Sequence, residues 1–157
     1  MRSIIKRVGG KSKLKKFIVS LIPQHKLYIE AFVGGGAVFF EKEPSEFEVV
    51  NDLDTDIYNI YKDMKAVGDQ MINKDFGISR TKFNSLKNQK TFNNKADRLY
   101  RNLYLSLNSF RGDRKNFVGE KEIEYRGDSN IGKKYKSTDF KDRLKNVTIK
   151  NNDWKTI

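Results

Sequence analysis

The sequence predicts an α/β fold built on parallel strands. Three short apolar runs, at residues 27–32, 47–50 and 147–150, have the composition of buried strands. Segments with helical spacing separate these runs, and strands that alternate with helices pair in parallel through right-handed crossovers. The chain has 157 residues, 37% of them hydrophobic, which suffices for one domain with an ordinary core.

The first half of the chain alternates helices and strands. A helix is predicted over 11–21, where four apolar residues recur at helical spacing: Leu14, Phe17, Ile18 and Leu21. A glycine turn at 33–36 follows the first strand, and a short helix is predicted over 37–41. After the second strand, Asp54 and Thr55 are candidate N-caps for a long helix. Its predicted buried face comprises Ile57, Ile60, Tyr61, Met64, Val67 and Met71.

The second half is more polar. Helices are predicted over 79–88 and 95–107, the latter with one apolar face: Ala96, Leu99, Tyr100, Leu103 and Leu107. Residues 108–137 are rich in Gly, Asn, Lys and Arg, which predicts a long basic loop of functional importance. A short helix over 138–144 leads to the third strand, and Trp154 is expected to pack near that strand.

Composition excludes several classes of function. The chain has no cysteine, which excludes disulfides, thiolate zinc sites, iron–sulfur clusters and cysteine nucleophiles. His25 is the only histidine and cannot by itself build a histidine-rich metal site, so no metal site is predicted. No apolar run approaches the ~20 residues that a membrane span needs. We expect no signal peptide, since the basic N-terminus lacks the apolar core and cleavage site of one. We therefore expect a cytoplasmic protein.

Charge divides the chain into basic flanks and an acidic middle. The formal net charge is +12, but residues 27–75 carry eleven acidic and four basic side chains. Residues 1–26 carry eight basic side chains and no acidic one. The basic segments suit phosphates, whereas the acidic segment suits a different ligand. A solvated surface is the alternative interpretation of any single Lys-rich stretch.

A glycine turn and an acidic residue form a candidate nucleotide site. Gly34, Gly35 and Gly36 allow close approach of a ligand to the backbone, and Asp52 ends the next strand about twenty residues later. In nucleotide-binding α/β folds, an acid there accepts hydrogen bonds from ribose hydroxyls. Because Phe39 breaks the G-x-G-x-x-G pattern, a phosphate-free adenosyl ligand fits better than a dinucleotide. A plain turn followed by a helix cap is the alternative.

These motifs resemble those of adenine-specific DNA methyltransferases of the Dam type. The family's K-W-x-G-G-K segment corresponds to Lys6-Arg7-Val8-Gly9-Gly10-Lys11, and its [DE]-P-F-x-G-x-G loop to Glu30-Ala31-Phe32-Val33-Gly34-Gly35-Gly36. Its N-D-x-[ND] element corresponds to Asn51-Asp52-Leu53-Asp54, and an F-x-G element of some members to Phe110-Arg111-Gly112. The match runs over nearly the whole chain in the family's order.

The resemblance implies a partial Rossmann-like methyltransferase fold of three parallel strands with an inserted helical and loop target-recognition region. Residues 1–75 would bind S-adenosylmethionine, 76–144 double-stranded DNA, and 145–157 would form the return strand. The cofactor-binding residues it implies are Gly9, Gly10, Lys11, Glu30, Phe32, Gly34, Gly36 and Asp52. The DNA-binding residues expected with it are Arg98, Asn108, Phe110, Arg111, Arg114 and Lys115.

Three departures from the family pattern bear on activity. Arg7 replaces the family's tryptophan, so stacking on adenine is lost or passes to the guanidinium, and Ala31 replaces its proline. The catalytic [DNS]-P-P-[YFW] element is absent, because Pro23 and Pro44 are the only prolines, and no catalytic residue is assigned. We therefore expect an incomplete or split enzyme, inactive alone, from a bacterial or phage-like restriction–modification or similar context.

The missing strands would leave the first strand as an exposed edge. Such an edge invites pairing with a second polypeptide that carries the catalytic element, or with another copy of the chain. Two other functions remain open from the sequence. One is a non-catalytic remnant that binds DNA or S-adenosylmethionine, and the other is a basic nucleic-acid binder whose glycine turn is incidental.

Overall fold

A three-stranded parallel sheet organises the protein. The computed structural model describes residues 1–118 and 137–157. Its strands are β1 (Leu27–Glu30), β2 (Phe47–Asn51) and β3 (Thr148–Lys150), in the order β1-β2-β3. Leu27 pairs with Phe47 across β1 and β2, and Val50 pairs with Ile149 across β2 and β3. The predicted α/β fold with parallel strands is confirmed.

Five helices accompany the sheet in the described residues: α1 (Lys15–Ser20), α2 (Thr55–Val67), α3 (Arg80–Asn88), α4 (Lys95–Leu107) and α5 (Ser137–Leu144). Single 3₁₀ turns follow at Gly68–Met71, Phe110–Gly112 and Trp154–Thr156. Asp54, rather than Thr55, caps α2, because its side chain accepts the amide hydrogens of Asp56 and Ile57. Ser79 and Asn94 cap α3 and α4 in the same way.

Two helices are shorter than predicted, since α1 begins at Lys15 instead of residue 11 and α2 ends at Val67, before Met71. Two further segments differ in conformation from the prediction. Residues 37–41 form successive turns instead of a helix, although the Phe40 amide donates to the Gly36 carbonyl at 2.9 Å. Pro44 disfavours a helical conformation of the residue before it, which leaves too few residues for a stable helix. Residues 108–118 form an ordered loop with an antiparallel bridge between Ser109 and Phe117. The rest of the predicted loop, 119–136, lies outside the described residues.

One hydrophobic core joins all three predicted segments of the chain. Its fully buried members come from the N-terminus, the turn after the glycines, β2 and three helices: Ile4, Phe39, Val50, Ile57, Ile60, Met64, Leu99, Leu103, Tyr104 and Leu144. Val147, which precedes β3, is also buried in this core. Phe40 stacks on Tyr61 with ring centroids 6.0 Å apart and meets Phe140 edge-on at 4.9 Å. Burial of each such side chain contributes about 1.5–3 kcal/mol. The core therefore fixes the glycine turn against α2.

Buried ion pairs tie distant elements together. Asp63 of α2 is fully buried, and Arg98 of α4 donates two hydrogen bonds to its carboxylate, from Nε at 2.7 Å and from Nη2 at 2.8 Å. Glu48 of β2 lies 2.7 Å from the Lys42 ammonium and 2.8 Å from Nη2 of Arg143. Burial raises the pKa of Glu48, but its bonds to Arg143 and Lys42 outweigh burial and leave it lowered. These pairs join α2 to α4 and α5 to the sheet.

One face and one edge of the sheet carry exposed apolar side chains. β1 lies at an edge of the sheet, as predicted, and Leu27, Ile29 and Phe47 are 52%, 46% and 58% exposed. The predicted apolar face of α1 is also uncovered, with Leu14, Phe17 and Leu21 all exposed. The helical spacing predicted for these residues therefore marks a face of α1 that the described residues leave exposed. Among the described residues, no helix has the length and apolarity to cross a membrane.

Candidate functional site

A cleft opens at the carboxyl ends of β1 and β2, where parallel sheets place their ligands. Its volume is about 1310 Å³, and its walls come from residues 2–13, the glycine turn and the loop after α4. All eight residues singled out by the sequence for a cofactor line it: Gly9, Gly10, Lys11, Glu30, Phe32, Gly34, Gly36 and Asp52. The fold thus brings these eight residues together from three stretches of chain that are separate in the sequence: 9–11, 30–36 and 52.

The glycine turn is held rigidly above the core. The Gly34 amide donates to Oδ2 of Asp52 at 2.8 Å, and the Tyr61 hydroxyl donates to the Gly34 carbonyl at 3.1 Å. Gly34 and Gly36 have φ of 49° and 69°, a conformation that side chains disfavour. A β-carbon on Gly36 would collide with the Tyr61 hydroxyl and lie 2.7 Å from the Phe40 ring. The sequence therefore needs glycine here for both backbone and packing reasons.

Asp52 lies between the turn and the start of α2. Its Oδ1 accepts the Asp54 amide at 3.0 Å while Oδ2 accepts Gly34, so the carboxylate is fixed at the wall of the cleft. Each carboxylate oxygen has a second lone pair, which leaves acceptor capacity for a ligand. The Asp52 carboxylate therefore has the position and the chemistry to accept hydrogen bonds from hydroxyl groups.

Two asparagines outside the predicted set of cofactor-binding residues fix this strand end. The buried Asn51 side chain donates to the carbonyls of Ala31 and Asn152, both at 3.0 Å. Asn151 donates to the Asp52 carbonyl at 2.7 Å. They clamp the ends of β1, β2 and β3 together beneath the cleft. Asn51 begins the N-D-x-[ND] element named in the sequence, which could have indicated its importance, whereas nothing in the sequence marked Asn151.

Glu30 places an anionic group in a low-polarity part of the cleft. It accepts a hydrogen bond from the Tyr28 hydroxyl at 2.8 Å and is partly buried. Burial raises the pKa of Glu30, and the positive charges of Lys11 and Lys42 offset only part of that effect. An ionised carboxylate without full compensation favours a cationic ligand. The site is therefore suited to a positively charged group beside Glu30.

Replacing Glu30 with glutamine is expected to raise the stability of the protein, measured without added ligand, at neutral pH. A carboxyl whose pKa is raised by folding loses stability as the pH rises above its ordinary value of 4.5. Glutamine keeps the acceptor for Tyr28 but has no charge to desolvate. Thermal melts at pH 4 and pH 7.5 check this prediction. The melting temperature of the variant should exceed that of the wild type at pH 7.5 and equal it at pH 4. A lower melting temperature at pH 7.5 would contradict it.

The N-terminal strap, residues 2–13, forms the opposite wall of the cleft. The Ile4 amide donates to the Gly35 carbonyl at 2.9 Å, and Ile4 and Ile5 are buried in the core. Seven basic side chains line the cleft, against Glu30 and Asp52 as the acidic ones: Arg2, Lys6, Arg7, Lys11, Lys13, Lys15 and Arg111. The cleft described by residues 1–118 and 137–157 therefore combines acidic side chains at the strand ends with basic ones contributed mostly by the N-terminal segment.

The six residues predicted to bind DNA fall into two groups. Phe110, Arg111 and Lys115 are exposed, and Arg111 also lines the cleft, with its guanidinium 5.1 Å from the Phe110 ring. Arg98 is engaged by Asp63, as described above, and Arg114 lies 2.6 Å from Asp54. The fully buried Asn108 donates to the carbonyls of Phe76 and Tyr104. Only the first group presents its side chains to a ligand in this conformation; DNA contact by any of the six stays a prediction.

Comparison with known proteins identifies the family of the chain. The family profile of the D12 class N6 adenine-specific DNA methyltransferases matches residues 8–156. The chain belongs to this family. The predicted relationship is therefore confirmed, and with it the assignment of the three-stranded sheet to a partial Rossmann-like methyltransferase fold.

Three curated relatives of this family member carry matching segments. The DNA N-6-adenine-methyltransferase of Escherichia phage P1 is 34% identical over 132 residues, 79% of this chain and 17% of the relative. The Type II methyltransferase M1.LlaDCHI of Lactococcus lactis subsp. cremoris is 38% identical over 73 residues, which are 46% of this chain and 25% of the relative. The Type II methyltransferase M.MjaIII of Methanocaldococcus jannaschii is 32% identical over 99 residues, which are 57% of this chain and 34% of the relative. Each match covers no more than about a third of the relative.

Proposed function

We propose that this chain forms the cofactor-binding and DNA-recognising part of an adenine methyltransferase that acts on DNA. The observation that carries the proposal is the convergence of Gly9–Lys11, Glu30–Gly36 and Asp52 on one cleft. S-adenosylmethionine, when bound, supplies an electrophilic methyl group for the exocyclic amine of adenine. Residues 1–75 would hold this cofactor, 76–144 would contact DNA, and 145–157 would complete the sheet.

The groups in the cleft suit S-adenosylmethionine. Glu30 carries a charge that its surroundings do not fully compensate, and the cofactor has cationic sulfonium and ammonium groups. Asp52 has free acceptor capacity for the two ribose hydroxyls, and the strap offers Lys11 to the cofactor's carboxylate. No β-carbon at Gly34 or Gly36 blocks the approach. The cleft of about 1310 Å³ exceeds the ~300–1,000 Å³ that small-ligand pockets usually occupy, so it has room for a ligand of this size.

The exposed basic side chains suit DNA. Arg111 lines the cleft, Lys115 is exposed in the same loop, and the chain as a whole carries a net charge of +12. Such groups contact phosphates and, in the case of arginine, guanine edges. Phe110, exposed beside Arg111, offers an apolar surface for a base displaced from its stack. A DNA substrate would place the protein in the cytoplasm of a bacterial or phage-infected cell.

The methyl-transfer element of the family would come from a further stretch of polypeptide. These 157 residues contain no Pro-Pro pair, and the exposed face of β1 and β2 offers an apolar docking surface. We propose a methyltransferase segment as the occupant, rather than a second copy. Light scattering of the isolated chain separates the two, since a stable dimer would favour the second copy. Transfer of labelled methyl groups to duplex DNA is expected only when the methyltransferase segment is added. If no methyl transfer is detected with that segment present, the chain is better explained as a non-catalytic remnant.

Asp52→Asn tests the cofactor site. We expect the variant to bind S-adenosylmethionine about 10- to 100-fold more weakly, because a hydrogen bond to a charged group contributes about 1.5–3 kcal/mol. Trp154 is the only tryptophan and its ring lies 6.5 Å from that of Phe32 at the cleft, so its fluorescence reports binding alongside calorimetry. Asp69→Asn removes an equal charge from an exposed pair with Lys141 and serves as the control. If the wild type does not bind S-adenosylmethionine, or if Asp52→Asn and Asp69→Asn bind it with equal affinity, the chain is better explained as a basic nucleic-acid binder.

A further inference from the structure

Two arginines from distant parts of the chain share one carboxylate oxygen beside the cleft. Nη2 of Arg114 lies 2.6 Å from Oδ2 of Asp54, and Nη1 of Arg7 lies 3.3 Å from the same atom. The other oxygen, Oδ1, caps α2 by accepting the Asp56 amide at 2.9 Å. Asp54 thus uses one oxygen for its own helix and the other for the two arginines.

The same two segments also touch through their backbones. The recognition turn, residues 109–114, has φ of 51°, 75° and 61° at Arg111, Gly112 and Arg114. A β-carbon on Gly112 would collide with the Lys6 carbonyl oxygen and lie 2.6 Å from its carbon. The Ser106 hydroxyl, at the end of α4, donates to the same carbonyl oxygen at 3.1 Å. The turn therefore packs directly on the strap that walls the cleft.

We propose that Asp54 is a positioning residue that couples the cofactor cleft to the recognition turn, by holding Arg7 of the strap and Arg114 of the turn on one oxygen. The identity of the two ligands rests on the proposed function, whereas the coupling rests on these contacts. A cofactor that orders the strap then orders the turn, and DNA bound to the turn orders the strap. Coupling of this kind is reciprocal, so each ligand raises the affinity for the other by the same factor.

The local electrostatics support a charged Asp54. Its side chain is 26% exposed, against 17% for Arg114 and 38% for Arg7. Burial raises the pKa of Asp54, but the guanidiniums of Arg114 and Arg7 outweigh burial and leave it lowered. Arg114 also has Asp56 within 3.2 Å, so loss of Asp54 would weaken its position without releasing it. The tie to Arg7 depends on Asp54 more directly.

Asp54→Asn tests the coupling with little risk to folding. Asparagine caps helices as well as aspartate does, so Oδ1 can keep its role while Nδ2 replaces the oxygen that holds the arginines. Asp69→Asn is again the matched control, since both variants change the net charge equally and shift general DNA affinity alike. Duplex DNA affinity is measured with and without S-adenosylhomocysteine, the product form of the cofactor. We expect S-adenosylhomocysteine to raise the affinity for duplex DNA about tenfold in the wild type and in Asp69→Asn, and less than twofold in Asp54→Asn.

Amide hydrogen exchange of the protein without ligands supplies a second readout. Residues 4–8 and 109–114 are expected to exchange faster together in Asp54→Asn than in Asp69→Asn, while the centre of α2 stays protected. If neither segment changes, the proposal is overturned whatever the ligands do. If wild type fails to bind S-adenosylhomocysteine, the proposed function fails, and the exchange rates alone decide on the coupling. Equal enhancement of DNA binding in both variants would also overturn it.

Discussion

Replacing Arg98 with methionine is expected to lower the free energy of unfolding by about 3 kcal/mol. Asp63 is completely buried and receives two hydrogen bonds from Arg98, whose own side chain is 31% exposed. Loss of the arginine leaves a buried carboxylate without its partner, a change that costs about 3–5 kcal/mol in buried pairs. The partial exposure of Arg98 puts the expected loss at the lower end. Urea denaturation followed by circular dichroism measures it.

Arg111→Met is the matched control for this prediction. Arg111 is exposed and belongs to the recognition turn, so the same loss of charge should change stability by less than about 0.5 kcal/mol. Arg111→Met should instead weaken binding to duplex DNA. If Arg98→Met were as stable as Arg111→Met and bound DNA as poorly, the pair with Asp63 would be dispensable and Arg98 would be a DNA contact.

Gly36→Ala is expected to destabilise the protein by about 2–4 kcal/mol and to abolish cofactor binding. A φ of 69° costs an alanine about 1 kcal/mol, and its β-carbon would overlap the Tyr61 hydroxyl and the Phe40 ring. Relief of that overlap must shift the turn whose neighbouring amide holds Asp52. Thermal melting, together with titration by S-adenosylmethionine, checks both parts of the prediction.

Gly9→Ala separates backbone strain from steric overlap. Gly9 has a similar φ of 77°, but a β-carbon there meets nothing within 4 Å. We therefore expect a loss of only about 1 kcal/mol from this variant. Losses of equal size at the two positions would mean that the turn can move away from Tyr61 and Phe40 at little cost.

Local patterns were sufficient for the main elements of the fold. The apolar spacing predicted α2 and α4, because these helices bury one face against the same core, although α2 ends at Val67 and a 3₁₀ turn carries Met71. The acidic residue after β2 and the glycines after β1 indicated the cleft, because the carboxyl ends of parallel strands meet at one edge of a sheet. Their use as a cofactor site stays a prediction that Asp52→Asn tests.

Long-range pairing was beyond reach of the sequence. Arg98, Asn108 and Arg114 have the residue types of DNA contacts, yet Asp63, the Phe76 carbonyl and Asp54 engage them inside the protein. The partners lie 35, 32 and 60 residues away along the chain, and no spacing rule links them. The apolar stripe of α1 was visible in the sequence, but its exposure depends on what packs beside it.

The sequence by itself determined the parallel α/β fold, the methyltransferase family and the residues that line the cleft, because strand patterns, glycines and helix caps are local properties of the chain. Only the tertiary structure decided which charged side chains are held internally and which remain available. The energy of a charged side chain depends on its burial and on the distance to an opposite charge, and both are set by packing between remote segments. The shared oxygen of Asp54 is such a case, since Arg7 and Arg114 meet there only after the chain has folded.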